Sequence, residues 1–325
     1  MQCANNFKQL GLALLNYADS NSDRFPAGNC SFLGFNQAPV NGGVVFLLPY
    51  MEQVGMYNEY VKWATDSLKD PKLSYGAPWG LAKANRDHWY GQPISSLGCP
   101  SDSMAGSFES AVGCSASNIF YCAGDGMWSF AHRPDQVANT KTHVGHRGFW
   151  QREVWKKMSA VIDGTSNTIS LSECVVPITR DTVVVRQGAV AAYQPHDGEA
   201  RAQLCLDNGY GADRKSVKNP ATALWRGRMW SNGRPADQWF TCTLPPNSVS
   251  CVAGVFNSNE WGSFAPTSYH SGGVNAVRVD GSVAFISDTI NTGNLSAAQV
   301  TSGESPYGVW GAMGTIDGGE TLSGL

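Results

Sequence analysis

The chain has 325 residues, with 23 Lys and Arg against 26 Asp and Glu, a net charge of −3. It is long enough for one core that buries roughly three quarters of its unfolded surface. No basic stripe is denser than Arg152, Lys156 and Lys157, which excludes the electrostatic footprint of a nucleic-acid binder.

The first predicted element is a helix. Phe7, Leu10, Leu14 and Tyr17 recur at spacings of three and four, while Lys8, Asn16 and Asp19 fall elsewhere around it. It should end near Asn21–Asp23, because the residue before Pro26 resists helical geometry. It begins at Met1 without a capping residue, which reads as the lower end of a longer helix. A second helix is expected over Phe46–Trp63, entered around Pro49 and carrying Met51, Val54, Tyr57 and Val61. From about 65 to 160 the sequence is irregular, with Pro, Gly and Trp scattered through it.

Thr168–Glu173 alternates Ile169 and Leu171 with Thr168, Ser170 and Ser172, the pattern of a strand. The stretch at about 176–250 is loop-rich and reads as an insertion. Val274–Val279 and Ser282–Ile286 flank Asp280-Gly281, which predicts a hairpin on a two-residue turn. That turn sets Val277 opposite Ala284 and Ala276 opposite Phe285. Both faces are then largely apolar, and the hairpin should lie inside a sheet, covered on both sides. The 36 glycines, 16 prolines and 11 tryptophans fit a turn-rich fold whose sheet faces need aromatic cover.

Nine cysteines without a C-x2-C pair read as disulfides formed in an oxidising compartment. Cys114 with Cys122, and Cys242 with Cys251, are the local candidates; the other five need distant partners or stay free. No run approaches the ~20 apolar residues of a membrane span.

Several passages in order resemble one bacterial family of type IV pilin-like (pseudopilin-like) proteins whose molecular function is unknown. They are Met1–Leu14, Leu48–Gln53, Cys99–Asp102, Asp163–Thr168 ending at Glu173, and Leu244–Ser248 with Cys251. The last is His270, nine intervening residues, then Asp280-Gly281. The resemblance implies a prepilin leader and an apolar stalk upstream, of which residues 1–24 are the remnant. It implies an α+β pilin-like fold over 1–325, with an N-terminal helix packed on an antiparallel sheet and the insertion elaborating one edge. Pilin-like proteins of secretion systems often hold calcium in a loop, so the resemblance allows that ion here without requiring or locating it.

Candidate sites are sparse. Asp163 and Asn167 offer oxygen ligands, but the spacing of a calcium-binding helix–loop–helix is absent, and a self-stabilised turn is the preferred reading. His143 and His146 form the densest imidazole pair, between glycines that weaken any helix there. Along one strand His270 and Asp280 would stand roughly 20 Å apart, which opposes a dyad. Asp280 should serve the turn and His270 a buried loop. No G-x-S-x-G, H-E-x-x-H or G-x4-G-K-[ST] motif occurs.

The expected function is non-enzymatic: a subunit of an extracellular filament or cell-surface assembly, with copies of itself as partners. The alternative is a surface module that binds glycan or another polymer through exposed tryptophans. A calcium- or zinc-dependent hydrolase is the third reading.

Overall fold

The computed structural model describes residues 1–30, 41–69, 88–111, 113–127, 147–179, 181–193, 201–221, 225–252 and 262–320. Helix α1 spans Gln2–Ser20 and buries Cys3, Phe7, Leu10, Gly11, Leu14 and Tyr17 along one face. Lys8, Asn16 and Asp19 are exposed, as the periodicity predicts. Asn21 caps its end by donating its side-chain amide to the Tyr17 carbonyl. Ser22 and Asp23 then take positive φ, and the chain leaves the helix before Pro26.

The second expected helix is broken. The helix α2, Val44–Leu47, gives way to a 3-10 turn over Leu48–Met51, and α3 runs over Val54–Lys69. The break is at Glu52, whose φ of 60° is left-handed. Gln53 N–H closes onto the Leu48 carbonyl there, so the helical ladder stops one turn after Pro49.

The strands of the main sheet are β5 (Ile119–Cys122), β6 (Ile169–Glu173), β8 (Trp239–Phe240), β11 (Gly273–Arg278) and β12 (Val283–Ser287). Earlier come two ribbons, β1–β2 (Asn29–Cys30 with Asn41–Gly42) and β3–β4 (Phe108–Glu109 with Cys114–Ser115). A smaller sheet joins β7 (Val190–Ala192), β9 (Ser250–Val252) and β10 (Gly262–Ser263). The main sheet runs β12-β11-β6-β5-β8. It is antiparallel from β12 to β5, and its last pair, β5 with β8, is parallel. Helix α1 packs along β11 and β12. The architecture is α+β, with the N-terminal helix laid on the sheet as expected.

Central strand β6 is buried on both faces, serines included. Ser170 and Ser172 donate their hydroxyls to the Val277 and Asn275 carbonyls of β11. That satisfies polar groups whose burial would otherwise be costly.

The hairpin differs from expectation by one residue. Ala276 pairs with Ala284 and Val277 with Val283. Its loop is Val279–Gly281: Gly281 N–H bonds to the Arg278 carbonyl, Arg278 N–H bonds to the Ser282 carbonyl, and Gly281 has φ 80°. This is a type I turn followed by a left-handed glycine, a three-residue connection. The extra loop residue is held from outside, since Val279 and Asp280 donate their amides to Thr168 and Thr165 carbonyls. A one-residue slip exchanges the faces of every side chain in a strand. Only β11 is interior; β12 is the sheet edge, and Phe285 on it is 53% exposed.

The stretch at 176–250 contributes β7, β8, the start of β9 and helices α4 (Ala202–Gly209) and α5 (Pro235–Gln238). Around α4 and the small sheet, Ala202, Cys205, Leu244, Val249 and Cys251 form a second apolar cluster. Near the C-terminus α6 spans Gly308–Gly314.

Candidate functional site

The disulfides are Cys3–Cys99 and Cys205–Cys251. Neither local candidate forms. Cys114, Cys122 and Cys242 are buried thiols, and Cys251 is taken by Cys205 of α4. Cys122 lies instead beside Cys242, 3.5 Å between sulphurs, because the parallel pairing of β5 with β8 brings them together. Spacing along the chain carries no information about such sheet-mediated contacts.

The Cys3–Cys99 bridge is the entry to the most chemically varied cluster among the described residues. The Nε2 atom of His270 lies 3.5 Å from Cys99 Sγ and 3.3 Å from Glu173 Oε2. Glu173 ends β6 and is 2% exposed, whereas the His270 side chain is 24% exposed. Its other oxygen, Oε1, accepts both the backbone N–H (2.6 Å) and the side-chain amide (3.0 Å) of Asn275. Burial, opposed in part by those two hydrogen bonds, pushes the Glu173 carboxyl up to about 7. Burial first, then the N-terminal ammonium and Arg186, lowers the pKa of His270. Both shifts favour the uncharged forms and so weaken any ion pair between the two groups.

A second acid stands behind this pair. Asp102 accepts the Asn118 side-chain amide and the Val176 N–H on Oδ2, and the Met104 N–H on Oδ1. Asn118 in turn accepts the Cys99 N–H at 2.9 Å. From the other side, Ser268 receives the His270 N–H on its hydroxyl and donates to the Gly273 carbonyl. Asn247 accepts the Ser268 N–H at 2.8 Å. Between these groups lies a pocket with about 170 Å³ of empty space, part of it open to solvent.

Five of the six passages that carried the resemblance therefore meet in space, and Leu48–Gln53 stands apart from their shared network. Cys3, Cys99, Asp102, Glu173, Asn247 and His270 come from five separated segments and share one bonded network. Asp280 and Gly281 do not join it. Asp280 accepts the Ser282 N–H within its own turn, as expected.

The sequence did carry a sign of the buried acid. Period-two alternation puts Glu173 on the face of Ile169 and Leu171, so a carboxyl there must enter the interior. The junction with His270 had no local sign, because it depends on a disulfide and two sheet registers.

Asp163 is occupied by the protein itself. Its Oδ2 accepts from Gly318 N–H and Thr315 Oγ1, and its Oδ1 from Gly319 N–H. Asn167 donates its amide to the Asp163 carbonyl. These bonds tie the turn to the C-terminal segment. His143 and His146 lie outside the described residues.

Tryptophans 89, 150, 230, 239 and 310 are buried. Trp150, Trp230, Trp239 and Trp310 each donate their indole N–H to a backbone carbonyl. Trp155 is 38% exposed, and Trp128 and Trp261 lie outside the described residues. No helix among the described residues is long and apolar enough to cross a membrane.

Against known proteins, residues 1–293 match a family model described as protein of unknown function (DUF1559). No curated protein and no solved structure matches the chain.

Proposed function

The chain belongs to the DUF1559 family of proteins of unknown function, and on that premise we propose that it is a pilin-like structural subunit of an extracellular filament or cell-surface assembly. The observation that carries this reading is the way the first two turns of α1 are fastened. Cys3 is bonded covalently to Cys99, and the Asn6 amide donates to the Ser95 and Gly98 carbonyls beside it. Asn118 and Asp102 hold that loop to β5 and to the chain after β6. A pull applied at the helix start is thus passed into the central sheet instead of peeling α1 from its first turn. That is where an apolar stalk, implied by the resemblance, would exert its force.

The acid–base groups in the network favour the same reading. Both oxygens of Asp102 and one of Glu173 are engaged by protein donors, as expected for fasteners. Buried tryptophans with satisfied indoles favour a core role over a glycan platform. Copies of the chain are its expected partners in this proposal.

Fractionation of cells that make the protein tests it. The chain should appear in the sheared or surface fraction with Cys3–Cys99 formed. Recovery in the cytoplasm alone, with those thiols reduced, contradicts the proposal.

A further inference from the structure

We propose that, once their disulfide is reduced, Cys3 and Cys99 bind a thiophilic divalent cation, zinc above all, together with the imidazole of His270. The three donor atoms already lie within 4.8 Å of one another. His270 Nε2 is 3.5 Å from Cys99 Sγ. In tetrahedral zinc, with Zn–S about 2.3 Å and Zn–N about 2.0 Å, sulphur and nitrogen ligands stand about 3.5 Å apart. One nitrogen–sulphur edge of the site, that of Cys99, therefore exists in the oxidised chain; Cys3 Sγ must part from Cys99 Sγ and settle about 3.5 Å from the imidazole nitrogen. Glu173 Oε2, 3.3 Å from the same nitrogen, is a further oxygen at the site, and Asn275 fixes its carboxyl group through Oε1. Two sulphurs, one nitrogen and an adjacent carboxylate form a donor set suited to zinc, and a poor one for calcium or magnesium.

The scaffold around these donors does not rely on the disulfide. The Cys99 amide is held by Asn118, the His270 amide by Ser268, and the His270 carbonyl by Arg186. A dithiol supplies two electrons and two protons to the disulfide, giving two thiols, and itself closes to a cyclic disulfide. The cation then displaces both thiol protons to solvent as the thiolates coordinate. The start of α1 is fastened in either redox state, by a covalent bond in one and by a metal in the other. This inference is independent of any assembly.

The test uses the full chain reduced with a phosphine, which leaves zinc free to bind. Elemental analysis after gel filtration should find about one zinc ion per reduced chain and none per oxidised chain. Cobalt(II) should give a thiolate charge-transfer band in the near ultraviolet. His270→Ala, whose disulfide still forms when oxidised, should weaken zinc uptake at least about tenfold. The Cys122→Ser/Cys242→Ser variant should not, although those thiols are the competing close pair. If reduction alone unfolds the chain, zinc should restore the circular dichroism of the wild type and not of His270→Ala. No uptake, uptake unaffected by His270→Ala, uptake abolished by the Cys122/Cys242 change, or no recovery of an unfolded reduced chain would each overturn the proposal.

Discussion

Gly11 and Gly281 meet backbone to backbone: a Cβ added at Gly11 would lie 2.5 Å from the Gly281 carbonyl oxygen and 2.8 Å from its Cα. Neither partner can yield as a flexible side chain would, so this contact sets how closely α1 approaches the hairpin. In an open helix, Gly→Ala gains up to ~1 kcal/mol from propensity. At Gly11 the clash should win, and Gly11→Ala should destabilise by about 1–3 kcal/mol. Gly55 in α3 has nothing within 4 Å of its added Cβ, so Gly55→Ala should be neutral or stabilising. Urea titrations of the two variants beside the wild type check both signs.

The buried carboxyl makes stability depend on pH in a definite direction. Glu173 keeps its proton up to about 7 in the folded chain, against 4.5 for the ordinary group. Between those values the folded state binds more protons, so stability falls as pH rises, by about 3 kcal/mol in all. His270 works the other way, since its lowered pKa removes stability as pH drops below 6.5. Glu173→Gln should remove the first limb and leave the second. Denaturation midpoints from pH 4.5 to 8 should therefore converge at the acid end and favour the variant at the alkaline end. Parallel curves contradict the assignment.

The two disulfides make a covalent prediction. Non-reducing peptide mapping should return Cys3 linked to Cys99 and Cys205 linked to Cys251, with five free thiols. The Cys3–Cys99 link closes the longer loop, 96 residues against 46. Cys3→Ser/Cys99→Ser should then cost about 4 kcal/mol and Cys205→Ser/Cys251→Ser somewhat less. A Cys114–Cys122 or Cys242–Cys251 peptide would contradict the pairing.

Asp163 is predicted to act as a clasp. Asp163→Ala leaves Gly318 N–H and Gly319 N–H without this acceptor, while Thr315 Oγ1 keeps the Ala312 carbonyl. The loss should be about 1–3 kcal/mol in thermal denaturation. Added calcium should not shift the melting temperature of the wild type, because both carboxylate oxygens are already engaged.

Local pattern made α1 legible: four apolar residues at helical spacing and a proline beyond the end fixed its face and its limit. The β6 strand was legible for the same reason, its alternation being unbroken over five residues. The hairpin was found but its register slipped, because the third loop residue is held by Thr165 and Thr168, contacts that no turn dipeptide encodes. Helix α2 was merged with α3, since the left-handed Glu52 has no signature of the kind glycine gives. The candidate site was legible only as separate passages. Glu173 and His270 are joined by the fold, and the cysteines paired across the chain where proximity in sequence suggested local bridges.

Negative-stain microscopy of the purified, oxidised chain at high concentration tests the assembly reading most directly. The account predicts filaments, rings or other repeating arrays of one subunit, sparser in the Cys3→Ser/Cys99→Ser variant. A field of dispersed monomers at every concentration would contradict it.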